Sequence, residues 1–147
     1  FPYTTLFRSG IPARSHMDEE GKLLATIYKL TADDIKVLVI GHIYPELTDD
    51  ELEQIGMVDV LLIPVGGHGY TLDSTGALSI IKKIEPKIVV PAHYGDDKLK
   101  FEVPQQDLET ALKELSMEPK EKISKLKLKP NELTTIEGTQ LIVLEKQ

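Results

Sequence analysis

The chain carries four histidines, and three of them stand next to segments that are typical of buried strands. His42 follows the apolar run VLVIG, His93 follows KIVVPA, and His16 precedes LLATIYKL. In open α/β folds, the loops at the carboxyl ends of the strands converge on one edge of the sheet. Imidazole is a common zinc ligand, so loops that bring histidines together can build a metal site. A single histidine after a strand is more often only a hydrogen-bonded loop residue.

A glycine-rich loop, VGGHGYTLD, is the second candidate for a functional site. Its glycines are Gly66, Gly67 and Gly69. They would let backbone N–H groups approach a ligand closely and form an anion-binding concavity. Asp73 at the end of the loop could instead cap the next helix, and the two interpretations are compatible. The loop lacks the GxxxxGK[ST] pattern of a phosphate-binding P-loop, and no GxSxG motif points to a serine hydrolase.

Composition limits the class of protein. The 147 residues, 41% of them hydrophobic and 28% charged, have the length and balance of one globular domain. A net charge of -7 argues against broad nucleic-acid binding. Without cysteine there is no disulfide and no thiolate ligand, so any metal must bind to His, Asp or Glu. No segment approaches the roughly 18 apolar residues of a membrane helix, and we expect a cytoplasmic protein with no membrane partner.

Alternating strand-like and helix-like segments predict an α/β fold. The predicted strands cover residues 23–30, 35–40, 58–64, 87–91, 123–129 and 140–144. The predicted helices cover residues 48–55, 73–85 and 106–115. Strand, helix and strand over residues 58–91 form a βαβ crossover, the unit of parallel sheets. The lysines of residues 120–129 have no interleaved aromatic residue, which favours a solvated strand face over a nucleic-acid site.

The first ten residues differ in character from the rest. The segment FPYTTLFRS has no hydrophobic periodicity and none of the features of a signal peptide, and it resembles a translated sequencing adapter. We therefore expect a non-native or disordered leader over residues 1–10 and a domain over residues 11–147. We also expect the natural protein to begin further upstream.

One segment is specific enough to indicate a family. A strand ending in LLIPVGG, a helix start YTLD and a strand running into PAHY all lie within Asp59 to Tyr94. This segment closely resembles the C-terminal half of the metallo-β-lactamase superfamily, and in particular metal-dependent hydrolases related to L-ascorbate-6-phosphate lactonase. Residues 40–56 and 11–22 resemble the segments that precede it there. The resemblance implies the C-terminal αβ half of an αββα sandwich.

The resemblance also implies a metal site. His93 would be the last histidine ligand and would serve a second metal, while His16 would complete the ligands of the first. The position after Gly41 normally holds an aspartate that bridges both metals, and here it is His42. A neutral imidazole cannot bridge two cations as a carboxylate does, so the site would hold one ion, a rearranged pair or none. The family motif HxHxDH is absent from this sequence, and no catalytic residue is visible.

The function implied is metal-dependent hydrolysis. Bound Zn²⁺ or Mn²⁺, one or two ions, would supply a hydroxide that attacks an ester, lactone or phosphodiester. Gly66, Gly67, His68 and Tyr70 would face a small-molecule substrate and could hold an anionic group on it. The alternative is a non-catalytic binding or regulatory protein whose metal site has decayed. We expect this segment alone to be inactive and either to aggregate or to dimerise as a homo-oligomer, because an incomplete fold exposes an apolar face and an unpaired strand edge.

Overall fold

The computed structural model describes residues 6–145, which form one seven-stranded mixed sheet and four helices. The strands are β1 (Leu6–Ala13), β2 (Ala25–Ala32), β3 (Ile35–Val39), β4 (Val60–Pro64), β5 (Ile88–Ala92), β6 (Pro119–Ile123) and β7 (Gln140–Leu144). The helices are α1 (Asp49–Ile55), α2 (Ser74–Ile84), α3 (Leu108–Leu115) and α4 (Pro130–Leu133). The order of strands in the sheet is β1-β2-β3-β4-β5-β7-β6. No helix within this described part of the chain is long and apolar enough to cross a membrane.

The direction of the strands decides which loops meet. Strands β3, β4 and β5 are parallel neighbours, with Leu38 beside Leu61 and Leu61 beside Val89. Strand β2 is antiparallel to both β1 and β3, so β1 runs in the same direction as β3. The carboxyl ends of β1, β3, β4 and β5 therefore lie at the same edge of the sheet.

Both faces of the central strands are buried, which explains their continuous apolar sequences. On one face, Leu61 and Val89 pack into the larger core together with helices α1, α2 and α3. On the other face, Val60 and Val90 belong to a smaller core that includes Leu133 of α4. The βαβ crossover predicted over residues 58–91 is confirmed, as is the α/β fold class.

The predicted helix boundaries agree closely with the structure. Thr48 caps α1: its hydroxyl accepts from Glu51 N at 3.2 Å, and the Glu51 carboxylate accepts from Thr48 N at 2.7 Å. The helix ends at Gly56, which has a positive φ of 62°. Asp73 caps α2 by accepting from Gly76 N at 2.7 Å, so the capping interpretation of Asp73 is confirmed.

Strand β1 differs from the expectation of an irregular leader. Leu6–Ala13 pairs residue by residue with β2, so the part of residues 1–10 that is described is a regular strand. Leu6 to Gly10 are exposed on both faces of the sheet, and such a strand leaves no alternation of apolar and polar residues to detect. Residues 1–5 lie outside the described residues. The non-native origin of the leader stays a prediction.

The predicted strand over residues 123–129 is wrong in position. The ladder with β7 uses Pro119–Ile123, and residues 124–129 are irregular. Leu126 and Leu128 are nevertheless half-buried against the smaller core. The alternation therefore reflects the contact of Leu126 and Leu128 with the core and not strand pairing. The strand predicted over residues 23–30 also lies two residues later, at Ala25–Ala32.

We expect Thr48→Ala to lower the free energy of unfolding by about 1 kcal/mol, because it removes the hydroxyl that accepts from Glu51 N, whereas the backbone N–H that donates to the Glu51 carboxylate remains. Urea denaturation would measure the change. The matched control is Thr75→Ala, at an exposed position within α2, which should stay within about 0.5 kcal/mol of wild type. Equal losses in the two variants would contradict the assignment of the cap.

Candidate functional site

Two of the predicted histidines meet at the carboxyl edge of the sheet. His42 lies beyond the end of β3 and His93 directly follows β5, with β4 between these strands. Their ring centroids are 5.0 Å apart, with the planes nearly perpendicular at 87°. The expectation that strand-end loops bring these side chains together is thus met in the structure.

His16 reaches the same edge because its loop is hydrogen-bonded directly to the loop after β3. Its backbone N–H donates to the carbonyl of His42 at 2.9 Å, and Tyr44 N donates to Arg14 O at 2.8 Å. The Arg14 guanidinium also lies 3.7 Å from the centre of the Tyr44 ring. The Nδ1 atom of His16 is 3.3 Å from the carbonyl oxygen of Ile43, which can only accept, so Nδ1 is the protonated nitrogen.

The loop after β4 contributes an aromatic side chain to the site. The half-exposed Tyr70 ring lies 4.8 Å from the His42 ring and 6.1 Å from the His93 ring, measured between centroids. His68 has a left-handed φ of 57° and is exposed on an open groove that Phe101 also lines. Tyr70 therefore lies beside the histidines, whereas His68 belongs to the neighbouring groove.

The two glycines at the start of this loop are buried and serve the fold. A Cβ on Gly66 would overlap the Gln105 side chain and the carbonyl oxygen of His93. The Gly67 N–H donates to Leu72 O at 2.9 Å, so this amide is not available to an anion. The close approach that these two glycines permit is thus to the protein's own chain, and the anion-binding concavity expected of Gly66, Gly67 and Gly69 stays a prediction.

Two residues of the site, Phe101 and Gln105, are not predicted by any sequence pattern. Phe101 stacks on the His93 ring with centroids 5.0 Å apart and planes inclined by 30°. The Gln105 side-chain oxygen lies 3.2 Å from His93 Nδ1. Both residues belong to the polar, irregular stretch after β5, where neither helical nor strand periodicity indicates which side chains turn inward. Only the isolated aromatic residue in that stretch distinguishes Phe101 from its neighbours.

The histidines influence one another electrostatically. Burial lowers the pKa of His42 below its ordinary value, and the neighbouring His93 and His16 lower it further, since each would repel a second positive charge. The neutral imidazole is therefore favoured at neutral pH. Neutral imidazole carries the lone pair that a metal ligand or a general base needs.

The chemistry of these donors fits a metal ion, but their arrangement is incomplete. Catalytic zinc sites use three protein ligands plus an open position. Within residues 6–145, no group of three or more His, Asp or Glu side chains is placed so that it could hold a metal ion. His16, His42 and His93 are thus a partial set, brought to one edge without forming a complete coordination shell.

Residues 10–93, more than half of the chain, match the family described as the β-lactamase superfamily domain. The chain belongs to the metallo-β-lactamase superfamily. A UPF0173 metal-dependent hydrolase from Thermoplasma acidophilum is 45% identical over 48 residues, which are 31% of this chain and 21% of that protein. One from Pyrococcus horikoshii is 36% identical over 70 residues, which are 46% and 30% of the two chains.

A solved structure shows the same fold. A Thermotoga maritima protein described as a zinc-dependent hydrolase of this superfamily is 26% identical, with a TM-score of 0.70. The likeness covers 97% of this chain and 66% of that chain. The chain therefore spans less than two thirds of each of these relatives. The matched part is 21% of the Thermoplasma protein, 30% of the Pyrococcus protein and 66% of the Thermotoga chain.

We expect Gly66→Ala to destabilise the protein by roughly 1–3 kcal/mol, because the new methyl group overlaps Gln105 and the backbone of His93. Chemical denaturation would measure the loss. Gly41→Ala is the matched control, since a Cβ there meets no atom within 4 Å. That control should stay within about 0.5 kcal/mol of wild type or be slightly more stable.

We expect Asp107→Asn to change how the free energy of unfolding depends on pH in the acid range. Hydrogen bonds from the backbone N–H and then the hydroxyl of Thr110 lower the pKa of Asp107. The carboxylate therefore stabilises the fold above the unfolded pKa of about 3.9, and this contribution is lost as the pH falls through the lower folded pKa. The stability difference between wild type and variant should shrink below about pH 4 in urea denaturation.

Thr110→Val tests the cause of that shift, because it removes the hydroxyl and keeps the backbone N–H. Its pH dependence should lie between those of wild type and Asp107→Asn. A stability difference for Asp107→Asn that is the same at neutral and acid pH would exclude the proposed role of the carboxylate.

Proposed function

We propose that this chain contributes part of the active site of a metal-dependent hydrolase. The convergence of His16, His42 and His93 at the carboxyl edge of the sheet carries this proposal, and the relatives described as metal-dependent hydrolases support it. A bound Zn²⁺ or Mn²⁺ would lower the pKa of a coordinated water toward about 7 and polarise the substrate oxygen. The scissile bond would be an ester, a lactone or a phosphodiester.

The chain's own residues would share the work in a defined way. His93 and His16 would hold the metal through Nε2, because the Nδ1 atom of each faces an oxygen acceptor. His42, favoured as a neutral imidazole, would be the third nitrogen donor. Tyr70, half-exposed and beside both His42 and His93, would line the substrate side and offer a hydroxyl to a polar substrate group.

The remaining donors would come from outside this chain segment. The likeness to the Thermotoga structure leaves about a third of that chain uncovered, and the three histidines here form a partial set. We propose that a preceding part of the same domain supplies the missing ligands and that the segment alone is inactive. A genomic read across the codons upstream of Gly10 would reveal an in-frame HxHxDH segment.

A second candidate function is a non-catalytic binding protein that keeps the fold. The observation in its favour is His42, which the family resemblance places where a bridging aspartate normally stands. A start codon close to Gly10 in the genome, together with the absence of metal binding, would favour this second function over hydrolysis.

We expect Zn²⁺ or Mn²⁺ to raise the melting temperature of the protein and His93→Ala to abolish the rise. A single site saturated at 100 times its dissociation constant stabilises the folded state by about 2.7 kcal/mol. His68→Asn is the control for a histidine outside the cluster, because asparagine accepts the left-handed backbone at that position. Stabilisation that survives in His93→Ala, or that is lost in His68→Asn, would place the metal elsewhere.

A further inference from the structure

We propose that Gln105 is a positioning residue for His93. Its side-chain oxygen accepts a hydrogen bond from the Nδ1–H group and keeps the neutral imidazole in the tautomer whose Nε2 carries the free lone pair. The use of that lone pair for a metal rests on the proposed function, whereas the tautomer itself does not.

The orientation of the Gln105 amide follows from its other partners. Its NH₂ group donates to the carbonyl oxygen of Val103 at 3.0 Å and faces that of Pro104 at 3.3 Å. Carbonyl oxygens only accept, so the nitrogen must lie on their side. A flipped amide would place oxygen against oxygen at both contacts. The side-chain oxygen therefore faces His93 Nδ1, at 3.2 Å.

This orientation determines the proton position on His93. An amide oxygen cannot donate, so the ring nitrogen opposite it must carry the proton. In a neutral imidazole the other nitrogen then holds the lone pair. The His16 ring has the same arrangement, with Nδ1 facing the Ile43 carbonyl oxygen at 3.3 Å. Two of the three histidines thus direct the same atom, Nε2, away from an internal acceptor.

The backbone around Gln105 holds this contact in place. Gln106 N donates to Gly66 O at 2.9 Å, and Gly95 N donates to Gln106 O at 2.7 Å. The Gln106 side chain donates to Val65 O at 2.9 Å. These bonds join residues 105–106 to the loops after β4 and β5. The Gln105 amide occupies the space that a side chain at position 66 would need.

The ring of His93 is also restrained on its face. Phe101 stacks against it at 5.0 Å, from the same irregular segment that carries Gln105. The stacking limits rotation of the ring, while the hydrogen bond selects which nitrogen is protonated. Such partners of a ligating histidine commonly fix both its orientation and its tautomer.

Three variants separate the hydrogen bond from general packing. Gln105→Leu removes the acceptor and keeps a similar volume. Gln105→Glu keeps an acceptor oxygen for Nδ1 and loses the NH₂ group that donates to Val103 O, so it tests the acceptor separately from the amide's own anchor. Gln106→Leu is the matched control, because it loosens the same segment and the hydrogen bonds of its side chain go to Val65, Ser74 and Glu114 and not to His93.

The deciding measurement is the ¹⁵N NMR spectrum of the imidazoles in the metal-free protein, at a pH well above the ordinary histidine pKa. Signals of His93 are assigned by their loss in His93→Asn. We expect a protonated Nδ1 in wild type, Gln105→Glu and Gln106→Leu, and a mixture of tautomers in Gln105→Leu. A wild-type His93 with the proton on Nε2 would overturn the proposal without any variant. So would an equal shift in Gln106→Leu, or no shift in Gln105→Leu.

Zinc affinity, measured by competition with a chromophoric chelator, tests whether the positioned atom is used. We expect Gln105→Leu to bind Zn²⁺ roughly 10–100-fold more weakly than wild type, with affinity restored in Gln105→Glu. If no variant and no wild type binds Zn²⁺, the proposed metal function fails while the NMR result still decides the role of Gln105. If all variants bind equally, Gln105 does not position a metal ligand.

Discussion

The parallel pairing of β3, β4 and β5 determines where this chain can carry chemistry. Parallel strands need crossover connections, so the loops that leave their carboxyl ends all lie at one edge and are free to hold polar side chains. His42, Tyr70 and His93 each follow one of these three strands. The buried apolar residues of the strands fix the register, and the register in turn fixes the separation of the side chains. The site therefore depends on the core through the backbone.

The irregular segment between β5 and α3 surrounds the His93 ring, a role that its polar composition does not predict. It supplies Phe101 and Gln105 to the surroundings of His93. Its Gln106 N–H donates to Gly66 O after β4, and its own Gly95 N–H donates to Gln106 O, which joins the two ends of the segment. Asp107 then ends the segment by capping α3. These hydrogen bonds and the helix cap let the segment keep the His93 ring in one orientation, although the segment contains no regular structure.

The elements that the sequence predicts well are those that bury one or both faces. Helix α1 with its Thr48 cap, helix α2 with its Asp73 cap and the strands around residues 60–64 and 88–92 follow from periodicity and capping chemistry. Sequence patterns do not predict strand β1, because its first five residues are held by pairing with β2 and not by burial. Gln105 is missed for a related reason: its role comes from its contact with the His93 ring, which local sequence patterns do not record.

The left-handed backbone of His93 also limits how this position can evolve. Its φ of 51° lies in a region that side chains rarely occupy, and in which Asn, Asp and His are several-fold enriched. A valine or isoleucine there would carry conformational strain in addition to losing the imidazole. Glycine fits this backbone without strain, and among the residues with a side chain the best tolerated, Asn and Asp, are polar and able to bind cations. Most apolar side chains would thus be disfavoured here by the main chain as well as by the loss of the imidazole.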